Sequence, residues 1–275
     1  MKEGVGHVEQ SAHGAFIVYS RVSLNTVLWA VRRVKPIITA LSQMKTVFLL
    51  GPTPAFFGDQ RATTSWRRAF VQYLDQAPEF NNDYLIVLPE PPECDWQRVN
   101  YPGLSSPDEQ VYAQIHWEAH FIDLALQTGI IVLHAHFRWA GNAGPTARFE
   151  AGKLLDRLSS DRVNHCVINL PRDSQSVPYL VPHLLHAKEL FNQGRFALTE
   201  CSPLALNAEG EPVLADGTVK PSGLYDDGRC ECDALLPFFR TIGLMAVSLS
   251  TQIINKWWSF ISVYTRRRRR CSVVP

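Results

Sequence analysis

The sequence has no surplus of charge of either sign, and this absence excludes one large class of partner. Lys and Arg together number 27 and Asp and Glu 26, so the formal net charge of the 275 residues is +1. A general nucleic-acid binder needs a broad basic surface. We therefore expect no nucleic-acid polymer among the partners of this chain.

A cysteine framework is also missing. The six cysteines are scattered, and the close pair Cys230 and Cys232 has no second pair at zinc spacing. The N-terminus lacks the pattern of a secretory signal, and a chain of this length does not depend on disulfides for its core. We therefore expect a reduced, cytoplasmic protein. His134 and His136 lie on one face of a strand pattern, but no third ligand is nearby, so we predict no metal site.

What the sequence does contain is an alternation of short apolar runs with helical patterns. Runs typical of buried strands cover residues 45–51, 84–91, 130–137, 163–170 and 195–200, and helical patterns follow Ser65, Pro107, Gly144 and residue 177. No internal repeat is visible. This order predicts an α/β fold with a mostly parallel five-stranded sheet and helices on both faces, in a flavodoxin-like or Rossmann-like arrangement.

The same patterns predict the domain limits. Residues 44–200 carry the alternation and form the predicted α/β domain, whereas residues 1–43 have no clear period and are interpreted as an N-terminal extension. Residues 201–275 are interpreted as a C-terminal extension with an apolar segment and a basic tail.

The apolar segment at 241–264 is followed by five arginines at 266–270, which is a pattern that tail anchors also show. Gln252, Asn255 and Lys256 lie in its middle and are costly in lipid. We therefore favour packing on the domain, or a lack of order, over a membrane span. Contact of residues 241–270 with a membrane surface remains an alternative.

The stretch GPTARFEAG at 144–152 places one acid, Glu150, on the first turns of a predicted helix that Thr146 can cap. Ligands of parallel α/β sheets bind outside the carboxyl ends of the strands. The loops after Gly51 and after Pro89 and the stretch 137–150 converge there. A helix start favours an ionised carboxylate, so Glu150 is a candidate for chemistry at this edge.

Four segments in this order resemble the nucleoside 2-deoxyribosyltransferase-like family. They are KTVFLLGPTP with SWRRAF, then LPEPPECDW, then QIHWEAHFIDLA leading into IIVLHAHF, and finally GNAGPTARFEAG. Together they span about residues 45–170. The resemblance implies that Glu150 attacks the anomeric carbon of a 2′-deoxynucleoside and expels the base. A second base then attacks the covalent glycosyl-enzyme, and the configuration is retained.

The residue chemistry agrees with this expectation, because an oxocarbenium-like transition state needs an ionised carboxylate at the anomeric carbon. The resemblance further implies nucleoside and free nucleobase substrates, no cofactor, and a homo-oligomer. Two alternatives stay open. One is an N-glycoside hydrolase of deoxynucleosides or their monophosphates, in which Ser65, Arg67 or Arg98 would bind the phosphate. The other is a non-catalytic nucleotide-binding or interaction protein.

The leaving base needs a proton or a hydrogen-bond donor. The resemblance implies that an acid on the helix after Pro107 lies near the sugar, and Glu118 and Asp123 are the two candidates. Arg67 is interpreted as a partner in a structural ion pair.

Seven further residues are predicted to bind the substrate. The loop after the first strand contributes Gly51, Pro52 and Thr53, the second loop contributes Asp95 and Trp96, and the third contributes Asn142 and Thr146. Trp96 can stack on a base. The family has an aspartate six residues before the nucleophile, where this chain has Gly144, so Asn142 is the candidate that offers a donor and an acceptor to the base.

Overall fold

The structure is a computed structural model that describes residues 8–20, 24–34, 44–51, 56–57, 60–61, 66–81, 83–90, 106–135, 145–159, 165–171, 174, 194–201, 205–206, 212–213 and 235–249. Its architecture is α/β, with a seven-stranded, mostly parallel sheet and helices on both faces. The predicted fold class is confirmed at this level.

The strands and helices predicted between residues 45 and 170, and the strand predicted at 195–200, occur in the predicted order, whereas the helix predicted after residue 177 lies outside the described residues. The elements are numbered in chain order. They are β1 (Val8–Gln10), β2 (Phe16–Tyr19), α1 (Leu24–Val34), β3 (Lys45–Leu50), β4 (Phe56–Phe57), β5 (Gln60–Arg61), α2 (Trp66–Leu74), β6 (Tyr84–Leu88), α3 (Pro107–Thr128), β7 (Ile130–His134), α4 (Pro145–Ser159), β8 (His165–Pro171), β9 (Phe196–Cys201), β10 (Ala205–Leu206), β11 (Pro212–Val213) and a helix over residues 235–249, α5.

The main sheet has the strand order β1-β2-β6-β3-β7-β8-β9. Only β1 is antiparallel to its neighbour; β2, β6, β3, β7, β8 and β9 pair in parallel. The five strands from β6 to β9 have the order 2-1-3-4-5 of doubly wound sheets, and the order reverses between β3 and β7. The crevice at the carboxyl ends of β3 and β7 is therefore where this architecture binds ligands.

Two apolar layers cover the sheet. Side chains of α1, α3 and α4 form one core with the strands, and side chains of α2 and α5 form the other. Every residue of β6, β7 and β8 is buried, which explains why these strands read as continuous apolar runs rather than alternating ones.

The predicted number of five strands was wrong, because the sheet has seven. The two additional strands, β1 and β2, lie in the segment that was predicted to be an N-terminal extension. All four residues of β2 are buried, and β2 pairs in parallel with β6. Such a short strand shows no period of its own, and its partner lies more than sixty residues later in the chain. Only that distant pairing makes it part of the sheet.

The predicted domain limits at residues 44 and 200 are therefore too narrow at both ends. At the C-terminal end, Phe238, Phe239 and Ile242 of α5 are buried in the core on the α2 face. The Tyr84 hydroxyl on β6 also donates to the carbonyl oxygen of Ala246 at 2.7 Å. The apolar segment thus packs on the domain over residues 241–249, and residues 250–270 lie outside the described part.

Of the helices in the described residues, none has the length and apolar character needed to cross a membrane.

The packing of α5 can be tested by truncating a buried side chain. Phe239→Ala removes ring contacts with Phe70 and Tyr73, whose centroids lie 5.2 and 5.6 Å away. We expect the free energy of unfolding to fall by about 3–5 kcal/mol in urea denaturation. Leu244→Ala on the same helix is the control, because Leu244 is 71% exposed. Equal effects of the two changes would show that α5 is not part of the core.

A candidate active site between two helices

A cavity of about 470 Å³ lies between α3 and α4, above β3 and β7. Helix α3 contributes Ile115, Glu118, Ala119, Ile122, Asp123 and Leu126, helix α4 contributes Glu150, Lys153, Leu154 and Arg157, and the strands contribute Leu50 and Ile131. The volume falls within the range of about 300–1,000 Å³ that is usual for small-ligand sites. Glu118, Asp123 and Glu150, the three acids predicted from the sequence, all line it.

Local sequence explains how α3 presents its acids. The side chain of Ser106 accepts a hydrogen bond from the amide of Glu109, and the Glu109 side chain accepts one from the amide of Ser106. This capping box and Pro107 determine where the helix begins. At its other end, a side chain at Gly129 would collide with the backbone of Thr46 on β3. Both ends of α3 are thus anchored, which determines the direction in which Glu118 points.

Helix α4 presents its polar groups at helical spacing. Glu150, Lys153 and Arg157 are separated by three and four residues, so they lie on one face of the helix. The helix begins at Pro145, so Thr146 is its second residue and not the cap that the sequence suggested.

Glu118 and Glu150 form a hydrogen-bonded pair across the cavity. The pKa of Glu150 is raised from its ordinary value of 4.5 to about 9, mainly by burial and then by the negative charge and hydrogen bond of Glu118. The positive charges of Arg67 and Lys153 oppose this shift. Two carboxyl groups so close cannot both ionise easily, so the pair retains one shared proton at neutral pH.

The sequence favoured an ionised Glu150 because of its place near a helix start, and that expectation was wrong, because the surroundings of Glu150 raise its pKa. Glu150 is the sixth residue of α4, beyond the first turn in which the helix dipole acts most strongly. Burial and the neighbouring carboxylate outweigh the dipole. A Glu150 carboxyl group that holds its proton is a poor nucleophile, so any nucleophilic role requires that the proton first be lost.

Arg67 brings a buried positive charge to this end of the sheet. Its guanidinium donates from Nε to the carbonyl oxygen of Leu49 at 2.9 Å and from Nη2 to that of Gly51 at 2.6 Å. Its Nη1 contacts Glu90 at 3.3 Å, and Glu90 also binds Arg68 at 3.0 Å. Arg67 is thus held in an ion pair, as expected, and its field reaches Glu150.

Gly51 lies at the carboxyl end of β3, beside the cavity residue Leu50. A Cβ atom at Gly51 would stand 2.9 Å from the carbonyl oxygen of His134 and 3.2 Å from the Trp66 ring. Glycine therefore allows β3, β7 and α2 to approach each other. Gly51 is not among the residues that line the cavity.

The structure distinguishes the two acids of α3. Glu118 is in contact with Glu150, whereas Asp123 lies at the cavity wall, where its Oδ1 binds Arg157 Nη1 at 2.8 Å. The Asp123 side chain is 55% exposed and the Arg157 side chain 37%. Glu118 is therefore the acid next to the predicted nucleophile, and Asp123 forms an exposed ion pair between the two helices.

The remaining predicted binding residues cannot be placed at the cavity. Pro52, Thr53, Asp95, Trp96 and Asn142 lie outside the described residues, as does the side chain of Thr146. Their predicted roles stay predictions.

Sequence reasoning missed three polar residues of the site. Lys153 and Arg157 follow Glu150 by three and seven residues, and Gln114 precedes Glu118 by four. Helical spacing from the two acids would have identified all three. This spacing becomes informative only when Glu118 and Glu150 are already identified as the acids of the site.

His134, at the end of β7, is buried against Trp66 and Phe238, with ring centroids 5.2 and 5.9 Å away. Its Nδ1 lies 2.9 Å from the amide nitrogen of Asn169. Among the residues that the structure describes, no three side chains of metal-ligand type lie together. His134 therefore belongs to the core at the strand ends.

Comparison of the chain with protein-family models, with curated proteins and with solved structures finds no match. The resemblance drawn from the motifs thus remains a hypothesis.

The raised pKa of Glu150 has a consequence for stability. Between pH 4.5 and about 9 the unfolded chain has released the Glu150 proton while the folded protein retains it. The free energy of unfolding should therefore fall as pH rises through this window, by at most about 1.4 kcal/mol per pH unit. Glu150→Gln should remove this pH dependence. The free energy of unfolding of the variant should therefore increase relative to that of the wild type between pH 5 and pH 8.

Urea denaturation at both pH values measures the effect. Asp156→Asn, at an exposed position of the same helix, is the control. A stability difference between Glu150→Gln and wild type that does not change with pH would contradict the raised pKa.

Proposed function

We propose that the protein is a retaining N-glycosyl-transferring enzyme that moves a 2-deoxyribosyl group between nucleobases, with Glu150 as nucleophile. The observation that supports this most directly is the hydrogen-bonded contact of Glu118 and Glu150 inside a cavity of about 470 Å³. The motif resemblance supplies the substrate class. We also propose that the fold is the flavodoxin-like arrangement, which the strand order supports.

The closeness of the two carboxyl groups supports retention. In an inverting enzyme the two carboxyl groups are about 6.5–9.5 Å apart, which leaves room for a water molecule between the general-base carboxylate and the sugar. Glu118 lies near enough to raise the pKa of Glu150, which favours the shorter separation of about 5–5.5 Å that retaining enzymes use. Double displacement needs only that one carboxylate reach the anomeric carbon, which the contact allows.

The shared proton fits the needs of the first step. Glu150 transfers its proton to Glu118 as the nucleoside binds, and the ionised Glu150 oxygen forms a bond to C1′ as the C1′–N bond breaks. Glu118 then gives the proton to the ring nitrogen of the departing base. The proton and the electron pair of the broken bond both leave with the base, so the step balances. An incoming base reverses these events.

The chemistry of the cavity supports a neutral substrate over a monophosphate. Seven of its twelve lining residues are apolar, and of its two cations Arg157 pairs with Asp123 while Lys153 acts on Glu150. Arg67 directs its donors to Leu49, Gly51 and Glu90. Ser65 and Arg98 lie outside the described residues. The described cations are thus engaged within the protein, which favours a nucleoside.

Base exchange tests the proposal directly. We expect purified protein mixed with deoxyinosine and adenine to form deoxyadenosine, because the covalent intermediate accepts a second base. Glu150→Ala should form none, since alanine has no carboxylate that can bond to C1′. Chromatography of the nucleosides measures the products, and Asp156→Asn is the matched control.

The other outcomes are equally informative. Hypoxanthine released without deoxyadenosine would replace the transferase with the N-glycoside hydrolase. Nucleoside binding without any base release, and unchanged by Glu150→Ala, would favour the non-catalytic alternative.

The role of Glu118 can be separated from that of Glu150. Glu118→Gln cannot carry the proton, so we expect kcat/KM for deoxyinosine to fall by about 100- to 10,000-fold. The base of 7-methyl-2′-deoxyguanosine leaves as a neutral molecule without protonation, so the same variant should cleave it nearly as fast as wild type. Spectrophotometric rates on the two substrates give the comparison.

Glu150→Gln is the control, because it should lose both activities. If Glu118→Gln were equally slow on both substrates, Glu118 would act on the sugar and not on the leaving base.

A further inference from the structure

Gln114 is a polar residue beside the site that the mechanism above does not use. It lies one turn before Glu118 on α3, and its Nε2 donates to Glu118 Oε1 at 2.6 Å in a partly buried setting. This is a short, charge-assisted bond, of the kind that contributes more than a bond between two neutral groups. It occupies the Oε1 atom of Glu118.

We propose that Gln114 is a positioning residue that keeps Glu118 as the carboxylate of the pair and so places the shared proton on Glu150. The inference rests on the proposed function for its meaning in catalysis, but the proton position is a property of the resting protein.

The physical reason is the polarity of the amide. A side-chain NH₂ group donates to a lone pair and cannot accept a proton, so it stabilises Glu118 when that oxygen is ionised. Two arrangements of one proton compete, with the proton on Glu150 or on Glu118. The amide bond stabilises the first arrangement more than the second, because a hydrogen bond to an ionised oxygen is stronger than one to a neutral carboxyl oxygen.

Other charges around the pair come from each neighbouring element. Arg67 of α2 and Lys153 of α4 act on Glu150, and Asp123 of α3 and Arg157 of α4 neutralise each other at 2.8 Å in the cavity wall. Arg67 and Lys153 favour ionisation of Glu150 and thus oppose the placement that Gln114 favours. Among these described groups, Gln114 is the one whose bond to Glu118 distinguishes the two carboxyl groups in that direction.

This arrangement gives the site a defined resting state. Glu150 is neutral until a nucleoside binds, and Glu118 is already a base able to accept its proton. A substrate therefore meets a proton acceptor beside the nucleophile instead of a pair in which either acid holds the proton.

The experiment uses the full chain labelled with ¹³C at the glutamate side-chain carboxyl carbon. Glu118→Gln and Glu150→Gln assign the two signals, which are then followed from pH 3 to 10 in wild type and in Gln114→Met. Methionine has nearly the same volume and helix propensity as glutamine but no donor. Gln72→Met, at an exposed position of α2, is the control for the substitution itself.

In wild type and Gln72→Met we expect the upper titration step to move the Glu150 signal alone. In Gln114→Met the proton should be distributed over both groups, so the upper step moves both signals. Gln114→Lys restores a donor and should again confine the upper step to Glu150. Thermal unfolding verifies that each variant is folded.

A Gln114→Met titration identical to wild type would overturn the inference, as would identical titrations of the Met and Lys variants. These results do not depend on turnover. Absence of base exchange in wild type would contradict the proposed function while leaving the placement of the proton to be decided by the titration.

Discussion

The contact between Glu118 and Glu150 is the interaction on which the candidate site depends. It requires α3 and α4 to lie side by side on one face of the sheet, and it places Glu150 where burial and the charge of Glu118 raise its pKa. A hydrogen-bonded acid pair in a largely apolar cavity costs stability at neutral pH, because one carboxyl group must hold a proton that it would release in water. Enzymes accept such costs where a defined proton position is needed for chemistry.

The rest of the scaffold holds this pair in place. The strand order reverses between β3 and β7, and the cavity lies above these two strands. Arg67 donates hydrogen bonds to the carbonyl oxygens of Leu49 and Gly51 at the end of β3. Its positive charge there acts on Glu150. Gly51 permits the close approach of His134 and Trp66 that this arrangement needs.

Much of the central domain could be predicted from local patterns. Helix α3 begins after Ser106 and ends before Gly129, and α4 begins within the stretch 144–152, because capping residues, proline and glycine act over a few residues. Strand β2 and helix α5 could not be assigned to the domain. Their membership depends on pairing with β6 and packing against Phe70, contacts that join distant parts of the chain.

The sequence by itself determined the α/β class, the order of the parallel strands from β3 to β9, and Glu150 as the candidate acid, since each depends on short-range periodicity or on a motif. The tertiary structure decided three other features: that Glu118 and not Asp123 meets Glu150, that the pKa of Glu150 is raised, and that Gln114 binds the second acid. Helix phase, burial and the approach of charges from other elements are properties of packing, and no local pattern encodes them.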